Sequence, residues 1–307
     1  METNQSIGSW GSDSIKAGKS ITVHSFLTNQ RCNQMDEPRS ISLTIAKIQE
    51  QINARDIPCN VNKDQQQQEE CETTTIVPLR VRVDDDMQSE TLLEFECDWT
   101  PGIGGSVWTS GELLAAHLEL QREYYRSIFD GARIVELGSG TGYVGLMIAS
   151  CFKPAYVYLT DLQTHIRGLC RNVERNAGAV RSGVQVHVLE LSWGSLEQET
   201  NLLELFTSTD HDSDNHKAAQ IDVILGTDVA YQQELYDPLL HTMNRLATSR
   251  TLILLGLNRA DTEFTFFRQL ERHGFEYYRI PDFKLPKEYW GHEFGLFEIR
   301  RRPDQAS

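Results

Sequence analysis

From residue 77 onward the order of apolar and polar positions changes character several times, and each change marks an element. Leu79-Arg-Val-Arg-Val places an apolar side chain at every second position, the acidic run 84–86 follows, and Leu92-Leu-Glu-Phe-Glu-Cys resumes the alternation. That pattern predicts a β-hairpin. Pro101, Gly102, Gly104 and Gly105 predict a turn. Ser110 then stands where a helix N-cap is expected, and Leu113, Leu114, Leu118, Tyr125 and Ile128 fall near one face of a single amphipathic helix reaching about Phe129.

Strand-like and helix-like stretches alternate after that. Strands are predicted over 132–136, 155–160, 184–189, 221–225 and 251–255, and helices over 143–150, 164–176, 196–206, 234–248 and 262–273. Strands separated by helices imply a parallel sheet covered on both faces. Two last β segments, 275–280 and 294–300, have no helix between them and predict a terminal antiparallel pair. The expected fold is therefore α/β: a Rossmann-like, mostly parallel seven-stranded sheet ending in an antiparallel pair, preceded by a β-hairpin and a disordered N-terminal tail. Boundaries are expected at 1–76 for the tail, 77–302 for the folded domain and 303–307 for a C-terminal tail.

Composition separates the same regions. Only Trp10 and Phe26 of the 27 aromatic residues lie in the first 75 positions. That stretch is rich in Ser, Thr, Asn and Gln, with a run of glutamines at 65–68, and cannot bury enough surface to offset chain entropy. One apolar stretch in it, 41–52, could form a short helix suited to partner docking. Thr207 to Ala219 reads as a polar surface insertion.

The chain of 307 residues carries a net charge of −15, with 29 basic against 44 acidic residues. An acidic body repels phosphate backbones, so nucleic acid is a poor partner and a basic protein surface a better one. The longest uncharged apolar run, about 144–152, falls well short of the roughly 20 residues of a membrane helix. The N-terminus has neither the basic region nor the apolar core of a signal peptide. No membrane association and a cytoplasmic location, with the nucleus as a second one, are expected. Cys32, Cys59, Cys71, Cys97, Cys151 and Cys170 show no zinc-type spacing and are expected to be reduced thiols.

Arg133-Ile-Val-Glu-Leu-Gly-Ser-Gly-Thr-Gly-Tyr carries the chemistry. It ends a strand and opens a helix, with Gly138, Gly140 and Gly142 allowing a ligand to approach the backbone. A dinucleotide fingerprint asks for glycine or alanine where Tyr143 stands. A P-loop asks for Lys-Ser/Thr after the glycines, and none follows. Glu136, two residues before the first glycine, suits a cationic ligand better than a pyrophosphate. S-adenosylmethionine, with an ammonium, a sulfonium and no phosphate, meets that description. Asp161 closes the next strand, where an acid can accept hydrogen bonds from ribose hydroxyls. A glycine-rich turn kept only for helix–strand packing would share the glycines but not the two acids.

At this point the chain resembles the seven-β-strand methyltransferases. Within them it is similar to the non-SET protein lysine methyltransferases that include the methyltransferase-like twenty-one proteins. The resemblance covers about residues 90–300 and rests on Gly105-Ser-Val-Trp-Thr-Ser, the loop 136–142, Leu191-Ser-Trp-Gly and Ile221-Asp-Val-Ile-Leu-Gly-Thr-Asp-Val-Ala-Tyr. It implies an S-adenosylmethionine site formed by Trp108, Glu136, Gly138, Ser139, Gly140, Gly142, Asp161, Trp193 and Thr227. It also implies Asp228 and Tyr231 as the residues that meet the substrate amine. The implied partner is a protein such as a chaperone, a AAA ATPase or a translation elongation factor, and a monomeric enzyme is expected. Ser192, Thr109 and Thr227 depart from the group's Asp, Pro and Ala, which bears on target choice more than on the cofactor.

The residues themselves allow the same chemistry. Gly138, Asp161, Trp193 and Asp228 all follow predicted strand ends, where ligands of parallel sheets bind. Trp108 and Trp193 can stack on adenine or wall off a sulfonium, although core packing would account for either alone. Amine methylation needs an in-line approach and a neutral amine, not a covalent nucleophile. Asp228 and Tyr231 can orient such an amine by hydrogen bonds, while a helix-start Asp followed by a packing Tyr is the plainer alternative. Asp-Val-Ala-Tyr also differs from the Asn-Pro-Pro-Tyr of enzymes acting on nucleobase or glutamine amides. Asp210, His211, Asp212, Asp214 and His216 lack calcium-loop spacing and are read as solvated, so no metal is expected. His187 and His273 have no nucleophile motif to serve. Two other readings stay open: methyl transfer to another acceptor (histidine, arginine or a small molecule), and a non-catalytic module that uses the pocket to hold a partner.

Overall fold

The computed structural model describes residues 74–83, 89–207 and 220–302. The 41–52 stretch, the insertion expected at 207–219 with its His and Asp residues (apart from Thr207, which ends a helix), Cys32, Cys59, Cys71 and the C-terminal 303–307 lie outside the described residues.

β1 (Thr74–Arg82) and β2 (Glu90–Asp98) form the expected hairpin, paired from Thr74 opposite Asp98 to Arg82 opposite Glu90. Pairing thus begins at Thr74, slightly before the expected domain start. The main sheet contains β3 (Arg133–Leu137), β4 (Tyr156–Asp161), β5 (Gln185–Glu190), β6 (Val223–Thr227), β7 (Leu252–Asn258), β8 (Phe275–Arg279) and β9 (Phe294–Arg301). Its order is β5-β4-β3-β6-β7-β9-β8. β3 to β7 are parallel, whereas β9 runs antiparallel to both β7 and β8. The expected α/β architecture, with its terminal antiparallel pair and leading hairpin, is the one found.

The central strands are continuous apolar runs because both faces are covered. Ile134, Val135 and Leu137 of β3 and every residue of β7 are buried. The helices between strands are α3 (Tyr143–Cys151), α4 (Gln163–Asn176), α5 (Leu196–Thr207), α6 (Tyr236–Leu246) and α7 (Phe264–Arg272), after α1 (Thr109–Leu120) and α2 (Arg122–Phe129). The chain steps outward from β3 to β4 to β5, then returns past β3 to β6 and β7. Right-handed crossovers therefore send α3 and α4 to one face and α5 and α6 to the other. Between β3 and β6 the strand order reverses, and the carboxyl ends of the strands at such a reversal are where open α/β sheets carry their ligand crevice.

Two expectations need correction. The single helix to Phe129 is two helices, broken at Gln121 (φ −105°, ψ 27°), whose N–H closes α1 on the His117 carbonyl. The break lets α2 aim Tyr125 and Phe129 at the end of α3, where Phe129 meets Phe152 edge-on at 5.1 Å and Arg122 reaches the Cys151 carbonyl at 3.2 Å. A straight helix could not do this and also keep Leu113, Leu114 and Leu118 on the sheet. Ser110 is not the N-cap either. α1 begins at Thr109 with Trp108 in the cap position and no side-chain cap bond, and Ser110 is fully buried inside the first turn.

The hairpin is fastened by side chains acting as a surrogate strand. Asn172 of α4 accepts the Glu96 N–H at 2.7 Å and donates to the Glu96 carbonyl at 3.0 Å. One turn later Asn176 repeats the exchange with Glu94, at 2.9 Å in both directions. These bonds occupy the open edge of β2, and Arg171 and Arg175 add ion pairs to Glu96 at 2.6 and 3.0 Å. Cys97, Cys151 and Cys170 are buried free thiols. Among the described residues no helix is long and apolar enough to cross a membrane, and no cluster of metal-ligating side chains occurs.

Candidate active site

The loop after β3 turns on Gly138, Gly140 and Gly142, with φ values of 64°, 55° and 78°. A side chain is strained in that left-handed region, which is the local reason for glycine at these positions. Ser139 ties the loop to β4. Its N–H bonds the Thr160 carbonyl and its hydroxyl oxygen accepts the Thr160 N–H, both at 3.0 Å.

Two carboxyls lie beneath this loop. Glu136 is only 2% exposed and accepts the Gly145 N–H at 3.2 Å. Burial pushes its carboxyl up to about 8, against the opposing pull of Ser139 and the Gly145 N–H. Asp161 is fully buried and accepts the Gly140 N–H at 2.5 Å and the Leu162 N–H at 2.9 Å. Burial raises it well above the usual carboxylate range, the Gly140 N–H opposes that rise, and the nearby Glu136 charge adds to it.

Trp193 stands on the turn after β5, which is clamped from two sides. Gly194 N–H donates to Thr242 Oγ1 at 2.8 Å, and that hydroxyl donates to the buried Glu199 carboxylate at 2.6 Å. The Ser192 N–H donates to Gln198 Oε1 at 2.5 Å. Trp108, at the head of α1, meets Trp99 edge-on with ring centroids 6.1 Å apart. Its indole N–H is buried and has no acceptor among the described residues.

At the end of β6, Asp228 adopts φ 52°, making it the one non-glycine residue with positive φ among those described. Its N–H bonds the Gly256 carbonyl at 2.8 Å. Its Oδ1 accepts the Ser110 hydroxyl at 2.8 Å and the Asn258 N–H at 3.2 Å. Burial pushes the carboxyl up to about 6, opposed by these donors and helped by the charge of Asp261. Thr227 lies between α1 and β7, since a Cβ on Gly111 or Gly256 would come within 3.6 or 3.2 Å of its side chain. Tyr231 is half-buried, and burial together with the Asp161 charge pushes its phenol up to about 12. All of the sequence-derived site residues thus follow, or lie beside, the carboxyl ends of β3 to β6, apart from Trp108 at the start of α1. The structure adds Ser110, expected only as a helix cap, together with Asn258 and Thr160, for which no site role was expected.

The sequence profile of a family described as lysine methyltransferase matches residues 87–273. This chain belongs to the lysine methyltransferase family. It is 31% identical over 182 residues to a mouse protein named protein N-lysine methyltransferase METTL21A, covering 59% of this chain and 73% of that one. A yeast (Saccharomyces cerevisiae) protein named protein-lysine N-methyltransferase EFM6 is 28% identical over 217 residues, 66% of this chain and 82% of that one. The frog (Xenopus tropicalis) protein named EEF1A lysine methyltransferase 3 is 31% identical over 156 residues, 50% of this chain and 58% of that one.

The protein is accordingly an S-adenosylmethionine-dependent protein-lysine methyltransferase. The crevice of this lysine methyltransferase fits such a cofactor. It offers a glycine cradle without Cβ atoms at its turns, two acids beneath that cradle and a buried indole N–H lacking an acceptor. When bound, S-adenosylmethionine supplies a methyl carbon made electrophilic by its sulfonium.

Proposed function

We propose that this lysine methyltransferase receives the ε-amine of a protein lysine between Asp228 and Tyr231. In this reading Trp108, Glu136, Gly138, Ser139, Gly140, Gly142, Asp161, Trp193 and Thr227 surround the cofactor. The observation that carries it is the buried Asp228 carboxyl, whose Oδ1 is anchored by Ser110 and Asn258 at the sheet's reversal point. An anionic carboxylate there attracts an incoming ammonium and, once that group is neutral, accepts one of its N–H bonds so that the lone pair keeps one direction. The Tyr231 hydroxyl stays protonated at neutral pH, because its proton leaves only near 12, and can take part in the same hydrogen bonding. Lysine must lose a proton from a pKa near about 10.4, which desolvation by the surrounding walls assists.

We also propose a monomeric enzyme acting in the cytoplasm, with the nucleus as a second location, on a protein such as a translation elongation factor, a chaperone or a AAA ATPase. The name of the frog relative, which cites EEF1A, makes an elongation factor the first target to try. The test is transfer of labelled methyl from S-adenosylmethionine to a cell lysate, with the modified residue identified by mass spectrometry. A labelled band carrying methyl-lysine, lost with Asp228→Ala while cofactor binding persists, is expected. Absence of any labelled protein, or a label on another residue type, would overturn the reading.

A further inference from the structure

We infer that Ser110 is a positioning residue for methyl transfer: its hydroxyl, together with the Asn258 N–H, ties down Oδ1 of Asp228 and so fixes the orientation of the carboxyl that meets the substrate amine. The inference rests on the role proposed for Asp228 above.

A serine in the first turn of a helix ordinarily spends its hydroxyl on a neighbouring backbone N–H or carbonyl. Here α1 has no side-chain cap bond, and the Ser110 hydroxyl instead reaches Asp228, the residue after β6 and 118 residues away in sequence. Both partners are removed from water, Ser110 at 0% and Asp228 at 7% exposure. In that setting a hydroxyl donating to a carboxylate is stronger than a neutral hydrogen bond. The second donor, Asn258 N–H, comes from the end of β7. Donors on two different elements converge on one oxygen and so stop rotation of the carboxyl group. The Asp228 backbone is fixed as well, by the Gly256 carbonyl at 2.8 Å. The charged neighbour that opposes ionisation is Asp261, just beyond β7, whereas the donors favour it, the Ser110 backbone N–H included. The serine is thus the part of the arrangement that can be removed without touching the carboxylate.

The test uses the full chain labelled with [4-13C]aspartate, with the Asp228 signal assigned by its loss in Asp228→Asn. In Ser110→Ala the carboxyl midpoint should rise by about one pH unit, as expected when a charged group loses one donor. Ser110→Cys, a weaker donor of similar size, should fall between the two. On the lysate protein that the wild-type enzyme labels, Ser110→Ala should lower kcat/KM at least roughly tenfold by the same reasoning. In the Asp228→Asn background it should cause no further loss. Calorimetric binding of S-adenosylhomocysteine should be unchanged. An unmoved Asp228 midpoint overturns the inference, as does an equal loss in the Asp228→Asn background, which would mark Ser110 as merely structural. If Asp228→Asn alone leaves transfer intact, the role of Asp228 fails instead, and the midpoint shift still reports whether the anchor exists.

Discussion

Asn172 joins the hairpin to the cofactor loop, and replacing it should damage both. Its side chain, 1% exposed, makes the two bonds to Glu96 and donates a third, at 3.1 Å, to the carbonyl of Thr141, between Gly140 and Gly142. Asn172→Ala strands one N–H and two carbonyls. An unmet buried backbone group costs about 1–3 kcal/mol, but Glu96 lies near enough to solvent for water to recover part of that, and alanine returns roughly 0.5 kcal/mol of helix propensity. A net loss of about 2–4 kcal/mol follows, which for a domain of this size lowers Tm by roughly 5–15 °C. Urea and thermal unfolding read the loss, and calorimetry with S-adenosylhomocysteine should show weaker binding, because the Thr141 peptide is freed. Asn172→Asp keeps the acceptor for Glu96 N–H but sets a second oxygen against two carbonyls. It should be at least as damaging at neutral pH and partly rescued in acid, where protonation restores a donor. Stability of Asn172→Ala within about 0.5 kcal/mol of wild type, the ordinary range for a neutral surface change, would refute the reasoning.

Gly105 opens the motif that carries Trp108, and a Cβ there would stand 1.4 Å from the Asp98 carbonyl oxygen, which is backbone and cannot swing aside. Gly105→Ala should therefore shift the turn beneath Trp108, seen as changed tryptophan fluorescence and lower Tm; wild-type values for both would contradict the packing. Glu136 has a folded pKa of about 8, above its usual 4.5, so the folded state holds a proton that the unfolded state has lost. Its contribution to stability is accordingly lost as pH rises from about 4.5 to about 8. Glu136→Gln should flatten that part of the fall in Tm with pH for the ligand-free protein, and parallel curves for the two proteins would show that Glu136 ionises normally.

The succession of strands and helices, the glycine loop and the acids at strand ends were legible because they depend on local signals, whereas the order of the strands in the sheet was not. Apolar runs bounded by turns, glycines at alternate positions and an acid closing a strand can each be read within a dozen residues. Contacts set by distant segments could not be read this way. Ser110 looked like a cap because its sequence neighbours suit a helix start, and nothing near it reveals Asp228 across the sheet. Asn172 and Asn176, four apart on α4, show up in sequence only as polar positions of an amphipathic helix, since their partners lie on a hairpin some 80 residues earlier. The break at Gln121 was hidden for a related reason. Arg122 and Tyr125 continue the helical pattern, and only the position of Phe152 requires a change of direction.

The three acids of the crevice also divide in a way their letters do not show. Among the described residues none of them forms an ion pair with lysine or arginine. Each is instead buried and met by N–H donors, with the Ser110 hydroxyl added at Asp228. Burial raises all three, and the environments that separate Glu136 from Asp228 assign them different roles. With its carboxyl pushed to about 8, Glu136 is largely protonated at neutral pH and holds the loop to α3 as a neutral group, until a cation beside it draws the proton off. Asp161 stands well above the usual range and is committed to Gly140 and Leu162. Asp228, at about 6, is largely ionised at the same pH. The net charge of −15 favours the approach of a cationic surface without selecting a place on the enzyme. Of these three acids Asp228 is thus the one whose carboxylate is largely ionised at neutral pH, which is why the role proposed above, meeting the substrate lysine, is given to it rather than to Glu136 or Asp161.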